Sequence, residues 1–270
     1  MKRTLSLLAL LLTFSLLAAC GGVKGPFTNA EPDLPSAETF SDEGAESYSA
    51  MFRIVDGAED GSLMLTGLDG ALGDVYRLSS KRDGLTITLD GAAADCTALE
   101  DGMPIRVTWD GSIMETFPAS FSGVTAIEAW SLGSAENPGG GFYDLCGLYL
   151  QVLDDLWEKD PALNTDAVIL DLSQAPGELT DGEKSAIAWR FGETHGVDAY
   201  LSGEAEEGIC RISITAPEAD DQEVYSLPTL RFHAEKYAGP LAAYCFHNCT
   251  AVWPELGTWT SYTIGGEIIS

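Results

Sequence analysis

Six cysteines and three histidines hold most of the reactive chemistry of this 270-residue sequence. Cys146 stands in Tyr-Asp-Leu-Cys-Gly-Leu, at the start of a helix-like stretch that follows a glycine-rich run. A helix N-terminus can lower a thiol's pKa, and His195, ahead of Gly196, is a candidate base. Against that pairing, Cys146 falls on the apolar side of its stretch, where a cysteine is a small core residue. Cys245, His247 and Cys249 alternate, which places three ligand types on one face of a strand. Alternate positions of a straight strand lie about 6.6 Å apart, too wide for all three to reach one tetrahedral zinc. No fourth ligand is evident nearby, so neither a metal set nor a catalytic set is assigned, and no cofactor is expected. Cys245 and Cys249 sit about 13 Å apart on a strand, beyond the ~7 Å that a disulfide spans. Either can meet Cys210 on a neighbouring strand, which leaves a disulfide among Cys210, Cys245 and Cys249 open, with buried apolar thiols as the alternative. Beyond Cys20 the cysteines number five, so at least one is free or pairs outside the chain.

Cys20 has a different chemistry. Lys2 and Arg3 precede an apolar stretch from Leu5 to Leu17 that ends in Leu17-Ala18-Ala19-Cys20. The stretch is shorter than the roughly 20 apolar residues that span a membrane and has the flanks of a signal peptide. Leu-Ala-Ala-Cys resembles a bacterial lipobox, which implies cleavage after residue 19 and acylation of Cys20. Two acyl chains make a lasting anchor, so the expected partner is the membrane, through the lipid, on its extracytoplasmic face. Removing residues 1–19 takes two of 14 basic residues and none of 42 acidic ones, leaving a formal charge of −30 (12 − 42). That charge repels nucleic acid and anionic polymers. A calcium-loop pattern from Asp56 keeps Asp60 and Gly61 but has Ala58 and Gly67 where ligands belong, and reads as a hairpin.

The elements that must position these residues divide the chain. Residues 20–46, rich in Gly, Pro, Ser and Glu, read as a disordered tether reaching roughly 25–30 Å. Residues 47–132 read as β: apolar runs alternate with Asp60-Gly61, Asp69-Gly70, Asp83-Gly84, Asp90-Gly91, Asp101-Gly102 and Asp110-Gly111, and Asp-Gly between such runs marks hairpins. Residues 133–141 (GSAENPGGG) read as a linker. In 142–270 a stripe of Leu145, Leu148, Tyr149, Val152 and Leu156 predicts a core-facing helix, with Asp144, Gly147 and Asp154 on its polar face. A buried strand follows at Ala167–Leu172, and then a second helix whose capping box is Thr180-x-x-Glu183. Candidate strands at 209–215, 229–234, 242–252, 259–264 and 267–269 complete an α+β order.

The stretch LEDGMPIRVTWDGSIMETFPASFSGVTAIEAW resembles the end of the OB-like barrel in the YobA-like domain of unknown function, found in Gram-positive lipoproteins. The resemblance covers residues 48–132 and implies a small barrel and a surface location, with no activity. LYLQVLDDLW, LNTDAVILDLS, SAIAWRFGETHG and FHAEKYAGPLAAYCFHNCTA resemble an uncharacterised C-terminal module of clostridial surface lipoproteins. YDLCGL is similar to the nucleophile turn of NlpC-type cell-wall cysteine peptidases, but that family's strands between nucleophile and histidine are missing. The expectation is an α+β chain: a small all-β OB-like barrel, then an α+β domain with a mainly antiparallel sheet. It would act as a non-catalytic binding or accessory module for an unknown protein or envelope ligand. A Cys146/His195 envelope hydrolase and a divalent-cation binder are the alternatives.

Overall fold

The computed structural model describes residues 40–42, 45–68, 75–131, 144–201, 208–217, 229–252 and 261–270. The signal peptide, Cys20 and the linker at 133–141 lie outside them. The first half gives β1 (Phe40–Asp42), β2 (Ala45–Asp56), β3 (Ser62–Gly67), β4 (Val75–Ser79), β5 (Thr86–Leu89), β6 (Ala92–Ala94), β7 (Pro104–Trp109), β8 (Ile113–Met114), β9 (Ala119–Phe121) and β10 (Ala126–Ala129). Asp90 and Gly91 both take positive φ, 50° and 77°, between β5 and β6. That is the two-residue turn whose twist suits a hairpin, and it is what Asp-Gly offers. β1 pairs with the start of β2, so part of the segment read as tether joins the sheet.

These strands form one sheet in the order β6-β5-β10-β7-β2-β3-β4-β9-β8, with β1 against β2. The pairing is antiparallel except β5–β10 and β4–β9, which are parallel. The expected barrel is corrected here: among the described residues the ladder is open, since β6 and β8 end the path without pairing to each other. Side chains occupy the inside of the curl instead. Phe121 on β9 reaches Trp109 on β7, their ring centres 5.1 Å apart, and lies 5.3 Å from Phe52 and 5.0 Å from Tyr76. Among the described residues the strands at the two ends of the path, β6 and β8, share no ladder, so the backbone bonds that would close a barrel are not made.

The second half gives α1 (Leu145–Glu158), β11 (Ala167–Gln174), α2 (Asp181–His195), β12 (Asp198–Tyr200), β13 (Cys210–Thr215), β14 (Thr229–Gly239), β15 (Ala242–Val252), β16 (Tyr262–Thr263) and β17 (Gly266–Ile269). The sheet order is β12-β11-β13-β14-β15-β16, with β17 also on β15. β11 runs parallel to β12 and β13, and the remaining pairs are antiparallel. The α+β reading with mainly antiparallel sheets therefore holds.

Both helices lie on the face of this sheet that carries Val168, Leu170, Ile212, Ile214, Phe232 and Phe246. The same buried cluster takes in Val55, Met64 and Val75, from the outer face of β2, β3 and β4. α2 is therefore buried on more than one side: Ala186, Ile187 and Ala188 are consecutive and all buried. A helix exposed along one flank buries a single stripe; one pressed between two sheets buries residues on more than one side.

Candidate functional site

The start of α1 carries Cys146, the nucleophile of the alternative hydrolase reading, and its geometry is that of a helix cap. Asp144 is the N-cap, accepting the Gly147 N–H at 2.8 Å. A Cβ on residue 147 would stand 2.2 Å from Asp144 Oδ2, so the glycine makes room for the cap. Asp144, assigned above to a solvent face, is buried. Desolvation pushes its carboxyl up to about 6, reinforced by Asp101 and Asp56 and opposed by the Gly147 N–H and Arg53. Cys146 is 1% exposed. Burial raises its thiol well above the ordinary value, and Glu183 and Asp144 push the same way, so it is not poised as a thiolate.

His195 is not beside it. Its Nε2 lies 2.7 Å from Asp154 Oδ1, and its ring packs on Phe191 and Trp157 at 4.5 and 5.5 Å. Glu183, whose charge bears on Cys146, is twelve residues earlier in α2, about 18 Å along a helix rising 1.5 Å per residue. The structure places the two members of the proposed pair at opposite ends of the helix layer.

The Cys245/His247/Cys249 face is corrected by a bulge. The β14–β15 register shifts between Phe232 and Ala234, and Asn248 takes φ 51°. One extra residue reverses the alternation. Cys249 is buried with Phe246 and Ala251, while Cys245 and His247 are half-exposed. Among the described residues no group of three or more His, Cys, Asp or Glu is placed to hold a metal. Cys210 does not neighbour β15, because β14 runs between them. Two strand spacings come to about 9.6 Å, outside disulfide reach, and Cys96, Cys146, Cys210, Cys245 and Cys249 are all free thiols.

What sequence reasoning missed lies on β4. A cleft of about 230 Å³ opens on the first sheet, lined by Arg77, Arg82, the serines 62, 79 and 120, and Phe121. Ser62 stands opposite Ser79 in the β3–β4 register, and Arg77 stands opposite Ser120 in the β4–β9 register. Arg77 is fixed from the α2 side: its guanidinium lies 4.2 Å over the Trp189 ring and donates to Glu193 Oε2 at 2.8 Å. Arg82 is exposed and makes no hydrogen bond or ion pair among the described residues, and the same holds for the three hydroxyls. Lys81 is engaged elsewhere, donating to the Asp60 carbonyl at 2.5 Å. The available clue was Arg-Leu-Ser-Ser-Lys-Arg at 77–82, three of the chain's 14 basic residues in six positions.

The cleft adjoins a polar seam between the helices and the first sheet. Arg53 Nε is 3.4 Å from Glu183 Oε1, and its Nη1 donates to the Gly102 carbonyl at 2.9 Å. Arg190 Nε is 2.6 Å from Asp56 Oδ2. Glu183 also closes the capping box of α2 with Thr180, so one carboxylate holds both a helix start and an arginine of the facing sheet.

No family model, curated protein or solved structure matches this chain. No helix among the described residues is long and apolar enough to cross a membrane.

Proposed function

We propose that this chain is an extracytoplasmic lipoprotein, anchored through acylated Cys20, that acts as a non-catalytic binding or accessory module. The observation that carries the non-catalytic reading is the setting of Cys146: a buried thiol whose pKa burial raises, about a helix length from His195. The lipobox-like Leu-Ala-Ala-Cys and the likeness to YobA-like lipoproteins support the address, and the open cleft of guanidinium and hydroxyl groups supports binding. In the test, native protein is treated with a maleimide and labelled residues are mapped. Cys146 should react only on unfolding; rapid, selective labelling of Cys146 in the native fold would restore the hydrolase reading. Anchoring is tested separately, by palmitate incorporation and membrane pelleting, both of which should vanish in Cys20→Ser.

A further inference from the structure

We propose that the cleft of Arg77, Arg82, Ser62, Ser79 and Ser120 is a binding site for a soluble tetrahedral oxyanion, a phosphate or phosphate monoester. The inference rests on the binding-module reading and names the ligand class of that site.

Four features lead there. First, the polar lining offers hydrogen-bond donors and no carboxylate: two guanidiniums and three hydroxyls. Fork-shaped guanidinium donors match the oxygens of an oxyanion. Second, the donors form a grid. Arg77 and Ser79 alternate along β4, about 6.6 Å apart, while Ser62 and Ser120 sit one strand away on either side, about 4.8 Å. Donors approaching from several directions suit four tetrahedral oxygens better than the two of a planar carboxylate. Third, the parts are split between a fixed group and a free one. Arg77 is held by Trp189 and Glu193, which lowers the cost of ordering it on binding. Arg82, from the turn after β4, has no partner among the described residues and can swing onto a ligand. Two opposing charges border the cleft: Glu193, with which Arg77 and Arg190 already pair, and Asp60, whose Oδ1 accepts the Ser62 N–H at 2.7 Å.

Fourth, size and net charge select a small ligand. The cleft has the volume of about eight waters at ~30 Å³ each, room for a phosphoryl group and a few attached atoms. A polyanion or an anionic bilayer would meet the field of a chain that carries 42 acidic residues, whereas a compact anion feels chiefly the arginines it touches.

The test is calorimetric titration of the full-length protein in neutral detergent with inorganic phosphate and with glycerol 1-phosphate. Binding to vesicles of phosphatidylglycerol and of phosphatidylcholine is measured alongside. Both soluble phosphates should bind wild type, and neither vesicle should capture more protein than Cys20 lipidation alone explains. Arg82→Ala should weaken phosphate binding about tenfold to a hundredfold, the loss of one charge-assisted contact, with an unchanged melting temperature. Arg82→Lys should fall between, and Ser120→Ala should weaken binding severalfold. Absence of phosphate binding by wild type, equal affinity in Arg82→Ala, or Arg82-dependent capture by phosphatidylglycerol with no binding of the soluble phosphates would each overturn the proposal. If wild type stays palmitoylated, resists maleimide at Cys146 and yet binds no phosphate, the ligand is wrong and the module reading stands. If Cys146 labels rapidly, the module reading itself fails.

Discussion

At the start of α1 the Asp144 carboxyl must accept the Gly147 N–H while shut away from water. Its pKa of about 6 records that conflict, against 3.8 for an ordinary aspartate. The fold binds the proton more tightly than the unfolded chain does. Asp144's contribution to stability is therefore full below about pH 4 and is lost as pH rises through about 6. Asn at this position keeps the acceptor that caps the helix and cannot ionise. Asp144→Asn should melt above wild type at pH 7, with the gap closing as the pH is lowered to about 4; a gap that is flat or widens on acidification would refute the assignment. Asp101 and Asp154 are also raised by burial, but both variants share them. The residue types of YDLCGL were legible as a helix start. Their purpose was not, because a cap and a nucleophile turn both call for a polar residue, a small residue and a helix dipole. Burial separates them, and burial belongs to the assembled fold.

Lys236 shows why strand patterns are read more easily than their exceptions. β14 alternates inward at Phe232, Ala234 and Lys236, and Lys236 is 0% exposed. Its ammonium donates to the carbonyls of Trp157, Lys159 and Asp160 and to Asn164 Oδ1, capping the C-terminal end of α1. Desolvation draws its pKa down, and Cys210 and Asp160 pull the other way. Lys236→Met should destabilise the protein by at least about 1–3 kcal/mol, the cost of one unmet buried acceptor, seen as a lower denaturant midpoint at unchanged slope. A neutral result would mean that water reaches the cage. A lysine in an alternating strand looks outward-facing until the helix end above it is known. The same blindness misplaced Cys249: nothing in Phe-His-Asn-Cys-Thr announces the bulge at Asn248, although asparagine tolerates positive φ. Elements fixed by local chemistry were legible. The Thr180/Glu183 box and Gly196 bound α2, and Asp90-Gly91 turns between β5 and β6. Pairings set by distant residues, such as β4 with β9, were not.

At the scale of the molecule, the sequence reads as two halves divided by glycines, and each half is recognisable in its own sheet. Their shared surface was invisible, because Val55, Met64 and Val75 look like ordinary strand residues and only the position of α2 shows that they face a helix. Arg53–Glu183 and the more exposed Arg190–Asp56 join the same surface, and for a buried pair such as Arg53–Glu183, removing one member costs about 3–5 kcal/mol. The halves should open together: the slowest-exchanging amides of β2 and of β13 should report one opening free energy by hydrogen exchange. Two distinct values would show halves that unfold independently. The burial of α2 against two sheets has a consequence in time as well as in space. In a chain delivered from its N-terminus, β2, β3 and β4 come out first, and the helix that covers their outer apolar residues follows more than a hundred positions later. Until α2 arrives, the first sheet carries an uncovered greasy stripe. The nascent chain, rather than the finished protein, is the form most in need of a chaperone.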